Sequence, residues 1–296
     1  KKQGMMTLEE ARKKIKPLDE EKMETARKRW DSIAKPLHSL GKMEDLITQI
    51  VGITGEVKVD IGKKALVAMC ADNGVVEEGV TQTGQEVTGI VADNFVKETT
   101  TACVMCHQCG VAVKPVDVGM VKDTTARTDL KVMYGTRNMT KGPAMTREEA
   151  VKGIEAGIAM AEELKAQGYR LLATGEMGIG NTTTSSAVAS VLLDQPVETM
   201  TGRGAGLSSD GLTRKINAIK KAIALNEPDP SDPIDVLAKV GGLDIAEWTN
   251  PKGGYFIGFD SMPGCAKEIV AKMKEAGVIL TGAGATFPYH IDPQDR

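Results

Sequence analysis

The chain has few aromatic side chains and no strong excess of charge of either sign. Phe, Trp and Tyr make up 3% of its 296 residues, and the formal net charge is −3. Stacking of nucleic-acid bases needs aromatic rings, and binding of a phosphate backbone needs a basic surface. The composition therefore argues against a nucleic-acid-binding protein. The hydrophobic core must be built mainly from aliphatic side chains and from 15 methionines.

Long apolar segments are also missing. No run of about 18 consecutive apolar residues is present, which is the length that predicts a transmembrane helix. Lys1 to Gly4 precede a charged segment that favours a helix, and not the apolar region of a signal peptide. Five cysteines are an odd number, and without a secretory signal they predict free thiols in a reducing compartment. We therefore expect a cytoplasmic protein that makes no membrane contact.

The sequence does contain a regular alternation of strand-like and helix-like segments. Residues 64–70 are a nearly continuous apolar run, typical of a strand buried on both faces of a parallel sheet. Residues 111–118 predict another strand, and residues 121–145 predict a long polar loop. Helices are predicted at 19–34, 43–54, 86–102 and from a capping box at Thr146. This pattern predicts an α/β fold, with a parallel sheet flanked by helices on both faces in a Rossmann-like three-layer arrangement and a small N-terminal helical part.

The most informative segment is the glycine-rich stretch Thr174–Thr184, which lies between the apolar run Leu171–Ala173 and a helix-compatible run at 185–189. The first amides of a helix have no partner within the helix and carry partial positive charge, and glycines let the backbone approach an anion closely. The segment therefore predicts a phosphate site with Glu176 at its mouth. It matches neither GxxxxGK[ST] nor GxGxxG, so a strand-to-helix turn without a ligand is the alternative.

A second glycine cluster, Thr201–Gly206, precedes a predicted helix that begins near Ser208. Lys215 lies in the second turn of that helix, beside its apolar stripe. Its ammonium group could reach back over the start of the helix. The alternative is an ordinary solvated lysine whose stem lies along an apolar surface.

The segment Cys103–Cys109 contains the spacing CxxCH, which is found in haem attachment, and four side chains that could bind a soft metal. We interpret it instead as a helix that carries small apolar thiols, and we expect neither a metal nor a cofactor. His38 and His290 are isolated and are interpreted as loop histidines. Glu77 and Glu78 are either a solvated acidic pair or neighbours of a binding pocket.

Seven blocks, in this order, resemble the nicotinate-nucleotide–dimethylbenzimidazole phosphoribosyltransferase family, and the resemblance spans about residues 5–246. The blocks are KPLHSLG at 35–41, ADNGVV at 71–76, QEVT at 85–88, GTRNMT at 135–140, GEMGIGNTT at 175–183, TGRG at 201–204 and VGGLDIA at 240–246.

This resemblance implies a reaction and an assembly. Nicotinate mononucleotide would give its phosphoribosyl group to an aromatic base such as 5,6-dimethylbenzimidazole, nicotinate would leave, and the product would be the α-riboside used as the lower ligand of cobamides. We expect no cofactor or metal to take part. The family's fold is a parallel α/β sheet, assembled as a dimer.

The resemblance also implies roles for individual residues. Glu176 would hold the ribose or the departing nicotinate, and Asp72 and Gln85 would line the pocket for the incoming base. The main-chain amides of Gly178, Gly180 and Asn181 would hold the 5′-phosphate together with Gly204 and Lys215, and Thr182 belongs to the same substrate-binding set.

The sequence also departs from the family pattern. The glutamate that serves as general base in the family has no match, so the catalytic residue is unassigned. Asn73 occupies a position where the family usually has His. After Ala246 the sequence resembles the C-terminal part of a class I aminotransferase, with predicted strands at 254–259 and 277–281 and a predicted helix at 264–276.

We therefore expect two parts of different ancestry, a phosphoribosyltransferase-like α/β domain at 1–246 and a βαβ-like segment at 247–296. Three functional hypotheses follow. The chain is an enzyme that transfers phosphoribosyl groups; or it is a catalytically deficient, nucleotide-binding partner or chimera that pairs with a complete subunit; or it is a pyridoxal enzyme. The last is disfavoured because no lysine for a Schiff base is recognisable.

Overall fold

The computed structural model describes residues 4–244, and its centre is a parallel three-stranded sheet. Strands β1 (Lys64–Ala71), β2 (Val111–Gly119) and β3 (Leu171–Met177) lie in the order β2-β1-β3. The register pairs Lys64 with Val111 on one side and with Leu171 on the other. The predicted parallel α/β architecture is confirmed.

Ten α-helices and one short 3₁₀ helix accompany the sheet within residues 4–244. Their bounds are α1 Leu8–Lys14, α2 Glu20–Ser32, α3 Lys42–Thr54, the 3₁₀ helix Gly74–Glu78, α4 Glu86–Val96, α5 Thr101–Gln108, α6 Arg147–Ala166, α7 Asn181–Leu192, α8 Val197–Met200, α9 Ser209–Asn226 and α10 Pro233–Val240.

The two faces of the sheet are covered by different helices, as alternation along β1 requires. Ala65, Val67 and Met69 pack into a cluster built with α6 and α10. Ala68 and Cys70 point the other way, into a cluster that includes side chains of α4 and α5. Strand β1 is therefore buried on both faces, as its continuous apolar run predicts.

The prediction of one helix over 86–102 is wrong. Helix α4 ends at Val96, Glu98 adopts a left-handed backbone conformation with φ 59°, and α5 begins anew after Thr100. The Thr100 hydroxyl accepts a hydrogen bond from the amide of Cys103 at 3.1 Å, so a side-chain cap replaces the continued helix.

The bounds of the glycine-rich loop also differ from the prediction. Thr174–Met177 belong to β3, and α7 begins at Asn181, so the turn itself contains only Gly178, Ile179 and Gly180. Glu176 therefore projects from a strand rather than from a loop. The hydrogen bonds between β3 and β1 hold the backbone of Glu176 in place, so its carboxylate projects from a fixed position.

The sheet order creates a switch point between β1 and β3. The chain leaves β1 towards β2 on one side, while β3 is added on the other side. In open α/β sheets ligands bind outside the carboxyl ends of strands at such a point. The segments that follow β1 and β3 here are Asp72–Gly74 and Gly178–Gly180, which both contain predicted site residues.

The long loop after β2 is fixed by a buried ion pair. Lys131 Nζ lies 3.0 Å from Asp117 Oδ2, and both side chains are almost completely buried. The other oxygen of Asp117 accepts the amides of Gly119 and Met120 at 3.1 and 2.8 Å. Burial disfavours the charged ammonium, but hydrogen bonds to Asp117 and Asp123 outweigh it and raise the pKa of Lys131.

Some predictions lie outside the described residues. These are the C-terminal segment 247–296 with its strands at 254–259 and 277–281, its helix at 264–276, and His290. Within residues 4–244, no helix combines the length and the apolar character needed to cross a membrane.

Replacement of Lys131 tests the ion pair beneath the loop. We expect Lys131→Met to lower the free energy of unfolding by about 3–5 kcal/mol, because it leaves the Asp117 carboxylate buried without its counter-charge. Urea denaturation measures the change. Lys141→Met is the matched control, since Lys141 pairs with Glu77 at an exposed position and its loss should cost about 1 kcal/mol or less. Equal losses for both variants would contradict the prediction.

Candidate functional site

The turn after β1 and the turn after β3 touch at the switch point. A Cβ atom at Gly178 would lie 2.3 Å from the Ala71 carbonyl oxygen and 2.3 Å from Asp244 Oδ2. At Gly74, a Cβ would lie 2.4 Å from the Thr136 carbonyl oxygen. Only glycine permits these approaches, so the two turns and the loop near Thr136 are packed backbone against backbone.

Asn73 ties these segments together through its side-chain amide. It is fully buried. Its Nδ2 donates to Asp244 Oδ2 at 3.1 Å and to the Ile179 carbonyl at 3.3 Å, and the Thr184 hydroxyl lies 3.4 Å from its Oδ1. The side chain thereby connects the end of β1 with the glycine turn, with α7 and with the segment after α10.

The first turn of α7 is organised by Gly180 and Asn181. Gly180 has φ 93°, a left-handed conformation that favours glycine. The Asn181 amide donates to the Gly178 carbonyl at 3.0 Å, so this amide, one of three expected to face a phosphate, is engaged within the turn. Asn181 Nδ2 donates to both carboxylate oxygens of Glu176, at 2.6 and 2.7 Å. The carboxylate is therefore oriented by the helix that follows the turn.

Lys215 joins the second glycine cluster to the first. Its side chain is 1% exposed, and its ammonium donates to the Thr182 hydroxyl at 2.6 Å and to the Gly202 carbonyl at 3.1 Å. A Cβ at Gly204 would lie 2.9 Å from Thr182 Oγ1 and 3.5 Å from Lys215 Nζ. The two glycine turns therefore converge on one place, and Lys215 is not a solvated surface lysine.

Gln85 and Asp72 both lie next to Asn73. Gln85 Nε2 donates to the Asn73 carbonyl at 3.0 Å. Asp72 is buried, and its Oδ2 accepts the Val121 amide at 2.8 Å, so in this structure the carboxylate holds the start of the loop after β2. Burial raises the pKa of Asp72, while the Val121 amide and the Thr88 hydroxyl oppose the rise.

Two loops close around this region. Gln82 donates to the Gly206 carbonyl, and Arg214 Nε donates to the Gly79 carbonyl at 3.3 Å. The segment between the 3₁₀ helix and α4 is thereby fixed to the second glycine cluster through Gly206 and to helix α9 through Arg214. Sequence reasoning missed Gln82, because nothing in the local pattern around it indicates a contact more than a hundred residues away.

Glu77 and Glu78 form a structured pair rather than a freely solvated one. Lys141 and Asn138 lower the pKa of Glu77, and Asn138 and Thr140 lower the pKa of Glu78. Asn138 Nδ2 donates to Glu78 Oε1 at 2.7 Å. The pair therefore anchors the GTRNMT segment on the 3₁₀ helix.

The cysteines of α5 are dispersed over the helix. Cys103 is buried, Cys106 is half-buried and Cys109 is exposed at the end of the helix. Among residues 4–244 no three His, Cys, Asp or Glu side chains are grouped to hold a metal ion. His38 lies in the loop before α3, exposed and with φ 58°.

The structure thus places the predicted residues in two neighbouring groups. Glu176, Asn181, Thr182, Gly204 and Lys215 form a connected set, and Asp72 and Gln85 flank Asn73. Asp244 was missed as a member of this region. The signal was the glycine pair Gly241-Gly242 before it, because a Cβ at Gly242 would lie 2.3 Å from Asn73 Oδ1 and 2.4 Å from Asp244 Oδ1.

Adding one methyl group tests the close approach of the two turns. We expect Gly178→Ala to lower the free energy of unfolding by about 3 kcal/mol, since the new Cβ would overlap the Ala71 carbonyl. Gly157→Ala is the control. It lies inside α6 with open space around its Cα, so the change should raise the free energy of unfolding by about 0.5–1 kcal/mol. Thermal and urea unfolding of both variants measure the difference, and a neutral Gly178→Ala would refute the packing argument.

Comparison with known proteins gives consistent matches over most of the chain. Residues 15–250 match the family model described as "Phosphoribosyltransferase". The nicotinate-nucleotide–dimethylbenzimidazole phosphoribosyltransferase of Ruminiclostridium cellulolyticum is 51% identical over 255 residues, which cover 86% of this chain and 71% of that protein. The enzyme of the same name from Acetivibrio thermocellus is 52% identical over 236 residues, covering 79% of this chain and 67% of the relative.

The C-terminal part has a second similarity. Residues 209–296 match the family model described as "Aspartate amino-transferase", in agreement with the sequence-based resemblance of the tail. Among solved structures, CobT from Thermus thermophilus superposes with a TM-score of 0.72 at 35% identity, covering 87% of this chain and 73% of that one. The matched length, the identity and the shared fold agree, and the chain belongs to the nicotinate-nucleotide–dimethylbenzimidazole phosphoribosyltransferase family.

Proposed function

We propose that this protein transfers the phosphoribosyl group of nicotinate mononucleotide to an aromatic base of the 5,6-dimethylbenzimidazole type. Nicotinate leaves, and the product is an α-ribazole phosphate that becomes the lower ligand of a cobamide. The relatives at about 50% identity carry names that describe this pair of substrates. The observation that carries the proposal is the convergence of two glycine turns and a buried lysine at the switch point of the sheet.

The 5′-phosphate binds at the convergence of these turns. The start of α7 directs partial positive charge towards this point, and the Lys215 ammonium is fixed there by the Thr182 hydroxyl and the Gly202 carbonyl. Gly204 approaches Thr182 so closely that a Cβ there would lie 2.9 Å from the Thr182 hydroxyl oxygen. The amides of Gly178 and Gly180 supply the remaining donors, while the Asn181 side chain orients Glu176.

Glu176 binds the ribose or the departing nicotinate. Its carboxylate projects from the end of β3 and is oriented by Asn181, only one residue before the phosphate-binding Thr182. A negative charge beside the anomeric carbon stabilises the oxocarbenium-like state that forms as the bond to nicotinate breaks. Because phosphate and carboxylate are held by the same helix start, the sugar between them is fixed in position.

The incoming base lies beside Asn73, next to Gln85 and Asp72. A ring nitrogen of the base attacks the anomeric carbon from the face opposite to nicotinate, so the configuration inverts. The second ring nitrogen loses its proton to a general base. None of residues 4–244 matches the glutamate that the family uses for this step, so the proton acceptor is unassigned.

The relatives' names favour a complete enzyme over the alternative of a catalytically deficient nucleotide-binding partner or chimera. We propose further that the protein works in the cytoplasm as a homodimer, without metal or cofactor, and that residues 1–246 form the catalytic unit while 247–296 are of different ancestry. The match of residues 209–296 to an aminotransferase family supports the division.

Lys215 provides the test of phosphate binding. We expect Lys215→Met to weaken the binding of nicotinate mononucleotide by about 10- to 100-fold, because one charge-assisted hydrogen bond contributes about 1.5–3 kcal/mol. Isothermal titration calorimetry measures the dissociation constant, and urea unfolding shows whether the variant is folded. Lys221→Met, at an exposed position of the same helix, should bind like the wild type. An unchanged dissociation constant for Lys215→Met would overturn the assignment.

Nicotinate release tests the reaction itself. We expect the protein to release nicotinate from nicotinate mononucleotide only when 5,6-dimethylbenzimidazole is present, as followed by liquid chromatography. Glu176→Gln should lower the rate by about 10- to 100-fold, since the charged hydrogen bond to the reacting nucleotide is lost. Glu162→Gln, exposed on α6, is the control. Nucleotide binding without any release by the wild type would favour the partner-subunit alternative, whereas absence of both would reject the proposed function.

A further inference from the structure

Both polar backbone groups of Ile179, the middle residue of the first glycine turn, are held by side chains from other elements. Its amide donates to the Thr88 hydroxyl at 3.0 Å, and its carbonyl accepts a hydrogen bond from Asn73 Nδ2 at 3.3 Å. Thr88 and Asn73 are both completely buried. Helix α4 and the turn after β1 therefore fix the glycine turn from outside.

Most amides at the start of α7 are already used inside the turn. The Asn181 amide donates to the Gly178 carbonyl at 3.0 Å, and the Thr182 amide donates to Asn181 Oδ1 at 2.7 Å. The Thr183 amide donates to the Gly180 carbonyl at 2.9 Å. Gly180 itself is buried, and its own amide donates to no acceptor among the described residues 4–244. Buried backbone N–H groups are nearly always paired, so this one indicates a ligand.

The direction of the Gly180 amide follows from the hydrogen bond that Asn73 makes. Residues 4–244 contain no cis peptide bond. In a planar trans peptide the carbonyl of one residue and the amide of the next point in opposite directions. Because Asn73 holds the Ile179 carbonyl on its own side, the Gly180 N–H points away from Asn73 and stays available to an anion.

Thr88 holds the preceding peptide in the same manner. Its oxygen accepts the Ile179 N–H, so its own proton is left to be donated, and the neighbouring acceptor is Asp72, whose pKa the Thr88 hydroxyl lowers. A hydroxyl that donates to a carboxylate is a stronger acceptor. At the other end of this peptide the Gly178 carbonyl accepts the Asn181 amide. The peptide is therefore fixed at both ends.

We propose that Thr88 is a positioning residue for the phosphate-binding turn and acts through the Ile179 amide, while Asn73 holds the Ile179 carbonyl. With both peptides fixed, the Gly180 amide cannot rotate towards an internal acceptor and is in place before the nucleotide arrives. Without this restraint the arriving phosphate would have to order the turn itself, which lowers affinity. The inference rests on the proposed function, since it names the residue that prepares the phosphate site of that reaction.

Replacement of Thr88 tests this role through binding. We expect Thr88→Val, which keeps the shape of the side chain but removes its hydroxyl, to raise the dissociation constant of nicotinate mononucleotide about 10-fold, the effect of one hydrogen bond. Thr88→Ser keeps the hydroxyl and should bind within about threefold of the wild type. Thr25→Val is the matched control, because the exposed Thr25 hydroxyl only bonds the Glu21 carbonyl within α2. Isothermal titration calorimetry measures binding, and circular dichroism shows whether each variant is folded.

The Gly180 amide can also be observed directly by NMR. A sample labelled with ¹³C-carbonyl isoleucine and ¹⁵N-glycine shows only glycines that follow isoleucine in a spectrum selecting directly bonded carbonyl and amide groups. Such pairs occur at 61–62, 179–180 and 257–258. Gly62→Ala and Gly258→Ala assign the other two signals.

We expect the Gly180 amide proton to move downfield when nicotinate mononucleotide binds to the wild type, because it gains a hydrogen bond to the phosphate. The Gly62 amide, which already donates to Asp60 Oδ1 at 2.8 Å, should not move. In Thr88→Val the Gly180 signal should be displaced or broadened before any nucleotide is added. A residue that merely stabilised the fold would leave that signal unchanged in the folded variant.

The outcomes separate this inference from the proposed function. If the nucleotide binds and the Gly180 signal of the wild type stays in place, the inference is overturned and the proposed function stands. The same holds if Thr88→Val binds like the wild type. Should Thr88→Val fail to fold, the wild-type Gly180 signal and the affinity of Thr88→Ser still decide. A wild type that binds no nicotinate mononucleotide rejects the proposed function and this inference with it.

Discussion

The site depends on the close approach of the two backbone turns at the carboxyl ends of β1 and β3. Gly178 packs directly against the Ala71 carbonyl oxygen, so any side chain at position 178 would overlap that oxygen. This contact sets the distance between the strand that carries Glu176 and the turn that carries Asn73 and leads to Gln85. It also fixes the direction in which α7 leaves the sheet, and α7 in turn supplies Thr182. A strand ladder alone would not determine these positions, because strands hold their neighbours in register but leave the following turns free.

The second constraint is the Lys215 ammonium beneath the first turn of α7. The hydrogen bonds to Thr182 and Gly202 connect two glycine turns that are separated by about twenty residues of sequence. Burying a charge is costly unless it is hydrogen-bonded, so the lysine holds both turns together while it remains fixed itself. An arriving phosphate would therefore meet a site whose charge and donors are already in place, and little conformational entropy would be lost on binding.

The parts of this structure that sequence could predict are those set by local chemistry. The capping box at Thr146, the buried run of β1 and the helical position of Lys215 each depend on neighbouring residues, and each is confirmed. The break between α4 and α5 was missed, although the polar run at residues 97–101 interrupts the apolar pattern and Thr100 offers a cap. The bond from Asn73 to Asp244 spans 171 residues. No local pattern reports such a contact, and the family blocks at 71–76 and 240–246 did not by themselves indicate that the two segments meet.

Asn73 shows how a departure from the family pattern can fit its surroundings. The side chain at this position faces two hydrogen-bond acceptors, the Asp244 carboxylate and the Ile179 carbonyl. It also faces one donor, the Thr184 hydroxyl. A side-chain amide has two N–H donors and a carbonyl oxygen, so it can satisfy all three. A neutral imidazole has one donor and one acceptor, and it could donate to both acceptors only as the cation. In this chain asparagine therefore supplies both donors without adding a buried charge beside Asp244. Asn73 thereby ties the turn after β1 to Asp244 and to the glycine turn without adding a charge of its own, while Lys215 and Glu176 carry the charges proposed to bind the nucleotide.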